Sequence, residues 1–249
     1  MLIDSHCHLN SLSGTDRERV ISSAQATDII CLNSSIDYKD AQGSVALANK
    51  YPFIYAAVGF HPFSVQDYSL DVVKKYGELI DRNKKVVAVG EVGLDCHARS
   101  PQDAQEPILR EFIKLACSKG VPVMIHNRLQ GYRILDILDE FFPSYQGVVF
   151  HCFSYGEDFL DKILEREGVV SFSLNVLRNK KDIISSLKKC PLQNLLLETD
   201  SPYMKAGARP STPLDIRQVY RAAAAIKNIE ESALEEALYS NAQRIFKLT

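Results

Sequence analysis

Eight short, nearly continuous apolar runs recur along the chain: LIDSHCHL (2–9), DIICLNSS (28–35), IYAAVGFHP (54–62), VVAVGEVGLD (86–95), VPVMIHNR (121–128), GVVFHCFS (147–154), VVSFSL (169–174) and LLLETDSP (195–202). They read as strands buried on both faces. Their starts lie roughly 20–35 residues apart, about one strand–helix unit.

Between these runs the apolar period becomes helical. Thr15-Asp-Arg-Glu18 has the form of a capping box opening a first helix. Ser100-Pro101 precedes an apolar-periodic stretch through Cys117, with proline near the first helical position. Leu135, Ile137 and Leu138 mark a helix closed by Pro143, and Phe159, Leu160, Ile163 and Leu164 mark one ended by Gly168. Thr212-Pro213 caps a stretch through Ile226. Ser232-Ala-Leu-Glu235 is a second capping box, leading an extra C-terminal helix to Phe246. Lys205 to Ser211 is expected to be a mobile loop.

Strict strand–helix alternation predicts a parallel sheet with crossover helices. Eight units without a break in composition favour an α/β fold closed as a (β/α)8 TIM barrel, a single domain over residues 1–249. An open doubly wound sheet is the alternative, but its usual GxGxxG after the first strand is absent.

Composition adds exclusions. With 46% hydrophobic residues, 24% charged and a net charge of −2, the chain carries no global basic field. A polyanion would have to be gripped locally, by a cleft, a few arginines or metal ions. Six cysteines, at 7, 31, 96, 117, 152 and 190, form no CxxC pair and are expected to be reduced thiols. No leader pattern and no apolar stretch of ~20 residues occurs, so a cytoplasmic monomer without membrane contact is expected.

The chemistry gathers at strand ends. On a strand, Asp4, His6 and His8 share one face. Five of the six histidines fall near the ends of predicted strands: His6 and His8 on the first, His61 on the third, His126 on the fifth and His151 on the sixth. Glu91 and Asp95 occupy matching places on the fourth, and Glu198 and Asp200 on the eighth. Barrel enzymes build their sites on this C-terminal rim. Imidazoles and carboxylates without a thiolate suit Mg, Mn or Zn.

DSHCHL, GFHP, GEVGLD, VPVMIHNR, HCFS, LLLETDSPY and the tail NAQRIF, in this order, resemble the TatD-type metal-dependent DNases among the amidohydrolase-like barrels. The resemblance spans nearly the whole chain. It implies two divalent metal ions: His6, His8 and Asp200 on one, His126 and His151 on the other, Glu91 bridging. It implies hydrolysis of nucleic-acid phosphodiesters, with a metal-activated water, Asp200 as its proton acceptor, and His61 or Arg128 orienting the scissile phosphate. Asp95 and Glu198 are expected to support ligands, and Cys7 to point away and pack as a small hydrophobe. His97 stays open between a surface position and a substrate contact.

The modest charge favours an exonuclease taking single-stranded DNA ends, with base stacking drawn from Phe60, Phe63, Phe153 or Tyr203. The alternative on the same scaffold is a metal-dependent esterase or amidohydrolase, for example on aminoacyl-tRNA esters. The predicted fourth to sixth strands contain no lysine, which disfavours the subclass that bridges its metals with a carbamylated lysine.

Overall fold

Strands form where the apolar runs predict them. A computed structural model describes residues 1–144 and 146–248, and it contains strands β1 (Leu2–Cys7), β2 (Ile29–Ser34), β3 (Ile54–Val58), β4 (Val86–Asp95), β5 (Val123–Arg128), β6 (Val148–Phe150), β7 (Val169–Phe172) and β8 (Leu195–Leu197). They make one eight-stranded sheet in chain order. The pairings β1–β2, β3–β4, β4–β5, β5–β6 and β7–β8 are parallel. β1 lies against β8, with the Asp200 N–H donating to the His6 carbonyl at 3.0 Å and the His8 N–H to the Ser201 carbonyl at 2.7 Å. This is the (β/α)8 barrel that the alternation predicts, with helices between the strands. Among the described residues, no helix is long and apolar enough to cross a membrane.

Several predicted runs overshoot. β3, β6 and β8 stop at Val58, Phe150 and Leu197, so His61, His151 and Asp200 sit just past strand ends. The reason is local: the runs stay apolar where the backbone has already turned. His61 opens a 3-10 turn over Pro62–Asp67, and Asp200 has φ +52°.

The chain divides into two compact units, residues 1–33 with 151–249, and residues 34–150. In the first, α1 (Gly14–Ala26) starts two residues before the Thr15 box would place it, because Ser13 accepts the Asp16 N–H and is the N-cap. The unit-2 helices are α2 (Tyr38–Lys50), α3 (Leu70–Arg82), α4 (Gln102–Lys119) and α5 (Arg133–Asp139). The helices after residue 151 are α6 (Glu157–Leu164), α7 (Lys181–Lys189), α8 (Ile216–Lys227) and α9 (Glu231–Phe246). Helices α2, α3 and α7 had no sequence signal assigned to them. The Ser232 box lies inside α9, whose N-cap is Glu230. The Thr212-Pro213 cap is present and takes the form of a capping box, with Asp215 accepting the Thr212 N–H at 2.8 Å.

The segment 205–211 is not an open loop. Lys205–Ala206 and Arg209–Pro210 pair as a short antiparallel hairpin, and Arg209 grips Asp215 at 2.7 and 2.9 Å. A bidentate guanidinium–carboxylate pair holds geometry that single bonds do not.

In the first unit, polar pins cross the core. Ser5 Oγ meets Ser171 Oγ at 2.9 Å and donates to the Leu197 carbonyl at 3.0 Å. Asn241, from the NAQRIF tail, donates to the Leu192 and Leu195 carbonyls at 2.6 and 2.9 Å, tying α9 to the start of β8. In the second unit, the buried Tyr76 hydroxyl donates to the Gly59 carbonyl at 2.6 Å, and Phe112 of α4 packs on Tyr76 and Phe60. β4 and β5 approach so closely that a Cβ on Gly93 would overlap the His126 carbonyl oxygen, so only glycine fits.

Candidate metal centre

In residues 1–33 with 151–249, four ligand-type side chains meet. The His6 and His8 Nε2 atoms are 3.0 Å apart, and Asp200 Oδ1 lies 3.8 and 3.5 Å from them. The His151 ring stacks on His6 with centroids 4.0 Å apart. His6, His151 and Asp200 each bring a donor atom within 4.8 Å of the others. β1 aims His6 inward, and His8 follows as the strand turns. Asp200 reaches the group from a left-handed conformation, φ +52°, that costs most residues about 1 kcal/mol or more. Backbone bonds hold it there: its N–H donates to His6, and its carbonyl accepts from Tyr203 and Met204.

Two supports lie behind this group. The Glu198 Oε1 faces His151 Nδ1 at 3.3 Å and accepts the Cys152 N–H at 2.8 Å, a carboxylate that fixes the orientation of the ring. Glu198 is fully buried and its Oε2 has no hydrogen-bond partner among the described residues. Asp4, expected on the ligand face, is instead wholly buried and takes the Thr199 N–H and Oγ1–H at 2.8 and 2.6 Å. Burial pushes its carboxyl well above the usual range against those bonds. Burial also pushes Asp200 up, but the bond from His8 and the neighbouring His151 and His6 outweigh it and hold Asp200 below the ordinary carboxylate value. Cys7 is buried, its thiol facing the Leu32 carbonyl, as a small hydrophobe should be.

In residues 34–150 a second cluster forms. His126 Nδ1 lies 2.6 Å from Glu91 Oε1, and its Nε2 lies 2.8 Å from Asp95 Oδ2. His61 Nε2 is 3.5 Å from the same Glu91 oxygen, while its Nδ1 accepts the Phe63 N–H. That bond places the His61 proton on Nε2. Burial raises Asp95, but the bonds from His126 and the His97 N–H leave it below its usual value. His61, Asp95 and His126 bring donor atoms within 4.8 Å of one another.

Gln105 of α4 is a functional support that sequence reading missed. It accepts the Asp95 N–H at 2.8 Å and donates to the Asp95 and Ser100 carbonyls. The signal was present: Gln105 stands one and two helical turns before Leu109 and Phe112, a polar residue on a buried stripe. Arg128 stands at the exposed end of β5, where its charge helps hold Asp95 below its usual value. Of the four aromatics considered for stacking, Phe60 and Phe153 are core at 3% and 2% exposure. Phe63 and Tyr203 are 50% and 56% exposed. Each touches a cluster histidine, Phe63 against His61 and Tyr203 against His8.

Both donor sets are nitrogen and oxygen without thiolate, which fits a divalent cation of the Mg, Mn or Zn kind. The first is the sharper case. His6 Nε2, His8 Nε2 and Asp200 Oδ1 lie within 3.8 Å of one another, and imidazole nitrogen with carboxylate oxygen is a donor set that divalent cations take.

A family model described as "TatD related DNase" matches residues 3–247. An uncharacterized metal-dependent hydrolase of Bacillus subtilis, YabD, is 31% identical over 255 residues, covering 100% of both chains. A protein of Yersinia pseudotuberculosis named 3'-5' ssDNA/RNA exonuclease TatD is 27% identical, covering 94% of each. The crystal structure of the TatD homolog YjjV of Escherichia coli superposes with a TM-score of 0.92 at 26% identity, over 100% of this chain and 98% of that one. With its barrel, its histidine–carboxylate clusters and a family match across nearly its whole length, the chain belongs to the TatD family and is a metal-dependent hydrolase.

Proposed function

We propose that this hydrolase cleaves nucleic-acid phosphodiesters, releasing nucleotides from single-stranded DNA ends at a two-metal site. His6, His8 and Asp200 would hold one ion, His126 and His151 the second, and Glu91 would bridge them. The observation that carries the reading is the convergence of His6 Nε2, His8 Nε2 and Asp200 Oδ1 within 3.0–3.8 Å. Paired divalent ions would supply charge neutralisation at the phosphate and a water acidified toward neutrality.

The chain's own groups do the rest. Asp200, ionised at neutral pH, takes the proton of the attacking water on a carboxylate oxygen. His61 offers its Nε2–H to a phosphate oxygen, its tautomer set by the Phe63 N–H. Arg128, exposed at the end of β5, offers a planar fork to the same phosphate. Asp95 and Glu198 orient His126 and His151. The exonuclease name of the Yersinia relative supports the substrate class.

The test is a substrate panel in Mn, Mg or Zn: labelled single-stranded DNA and bis-p-nitrophenyl phosphate against an acyl ester and a dipeptide. Phosphodiester turnover that EDTA abolishes and added metal restores is the expected result. Ester turnover without phosphodiester turnover overturns the proposal, and full activity after verified metal stripping removes the ions from it.

A further inference from the structure

A cleft of about 270 Å³ in residues 34–150 is lined by Phe63, Gln66, His97 and Arg99. We infer that it is a nucleotide subsite, in which Phe63 stacks a base of the substrate strand and Arg99 with His97 receives an adjoining phosphate. The inference rests on the nuclease reading above and extends it to positions beyond the scissile bond.

The lining is unusual for a surface dimple. Phe63 is half exposed, although the neighbouring Phe60 is buried in the core. Its ring stands at 76° to His61, with centroids 4.8 Å apart. Its backbone is fastened at both ends: the N–H donates to His61 Nδ1, and the carbonyl accepts the Gln66 side-chain amide at 3.0 Å. A fixed aromatic loses little freedom when a base lands on it, and base–aromatic stacking tolerates any sequence. The lining also carries a guanidinium. Arg99 is exposed and has no carboxylate partner among the described residues. His97 is anchored through its N–H to Asp95 Oδ1 at 2.7 Å, leaving its ring for the cleft.

The cleft is tied to the metal cluster by the chain itself. Phe63 lies two residues after His61, and His97 two residues after Asp95, a reach of at most about 7 Å each. A nucleotide lying in the cleft therefore joins directly to a phosphate held beside His61 and Glu91. The volume sits just below the ~300–1,000 Å³ of sites for drug-sized ligands, so it suits a single base and excludes a duplex. A small acyl ester or a dipeptide has no use for an aromatic shelf paired with a guanidinium. A polynucleotide uses both.

The experiment measures binding of a fluorescent eight-residue oligothymidylate in an Asp200→Asn background, which holds the strand uncleaved, with Mn present. Phe63→Ala should weaken binding by about 5–100-fold, the range of one base stack. Phe63→Trp should restore it to within about twofold, which a merely structural role would not produce. Arg99→Ala should lower the slope of log Kd against log salt by about 0.7, one phosphate contact to a single strand. Wild-type affinity and salt slope in both alanine variants, while the native enzyme cleaves the oligonucleotide, overturn the subsite and leave the nuclease reading standing. Failure of the wild type to bind or cleave any oligonucleotide, with acyl-ester turnover intact, overturns both.

Discussion

The two clusters are built from the same residue types and organised in opposite ways. In the first, histidines dominate and face one another: the His6 and His8 Nε2 atoms lie 3.0 Å apart, His151 stacks on His6, and Asp200 approaches the His8 and His6 ring nitrogens at 3.5 and 3.8 Å. In the second, carboxylates dominate: Glu91 faces one nitrogen of His126 and Asp95 the other, at 2.6 and 2.8 Å. The first gathers imidazoles around a carboxylate, and the second gathers carboxylates around an imidazole. Pre-organisation here comes from different sources: backbone bonds around Asp200 and a buried Glu198 in one, short imidazole–carboxylate contacts in the other.

The contrast can be broken most severely at Asp200. Asp200→Asn keeps the size and the backbone but removes the charge, and it should reduce kcat by about 10²–10⁴-fold while thermal unfolding stays near wild type. Wild-type turnover would take Asp200 out of the mechanism. A smaller effect compares the two supports. Glu198→Gln and Asp95→Asn should each weaken metal binding by about 10–100-fold. Metal titration should show Asp95→Asn also loosening the second cluster without metal, as a shift in the His126 ring resonances. Equal resonance shifts at His151 in metal-free Glu198→Gln would erase the distinction.

The smallest effect lies outside both clusters and calibrates them. Glu106 of α4 pairs with Arg133 at 2.6 and 2.7 Å and with Arg110 at 3.3 Å. The bond from Arg133, more than the opposing burial, brings its carboxyl down to about 2. A depressed acid stabilises the fold above its unfolded value near 4.5 and loses that contribution as pH falls through about 2. Glu106→Gln should therefore lower stability by about 0.5–1 kcal/mol at neutral pH. Melts across pH 4.5 to 2 should show a shallower acid loss in the variant, and parallel curves would remove Glu106 from the acid response.

Much of the fold was legible because burial on both faces leaves an uninterrupted apolar signature. All eight barrel strands lie within their predicted runs, and the residues that the family motifs single out, His6, His8, His61, Glu91, His126, His151 and Asp200, fall in the two clusters. Helix α2 escaped because its buried face is built from small residues such as Ala41, Ser44 and Ala48; α3 and α7 carry regular apolar stripes, Val72, Tyr76 and Ile80 in one and Ile183 and Leu187 in the other, which the reading passed over. Caps were misplaced at Thr15 and Ser232 because a capping box is a four-residue pattern: Ser13 takes the cap of α1, and α9 starts at Glu231 with no side-chain cap bond from Glu230.

What the sequence determined by itself was the alternation of elements, the residue types of the clusters and their places at strand ends. These follow from periodicity and from the scarcity of buried polar side chains, both local properties of a string. Only the tertiary structure decided that Asp4 bonds Thr199 across 195 positions, that Glu198 steadies His151 across 47, and that Phe63 stands in the open while Phe60 is buried. Those outcomes depend on which strands become neighbours and which side of a turn meets water, and no short window of sequence contains that information.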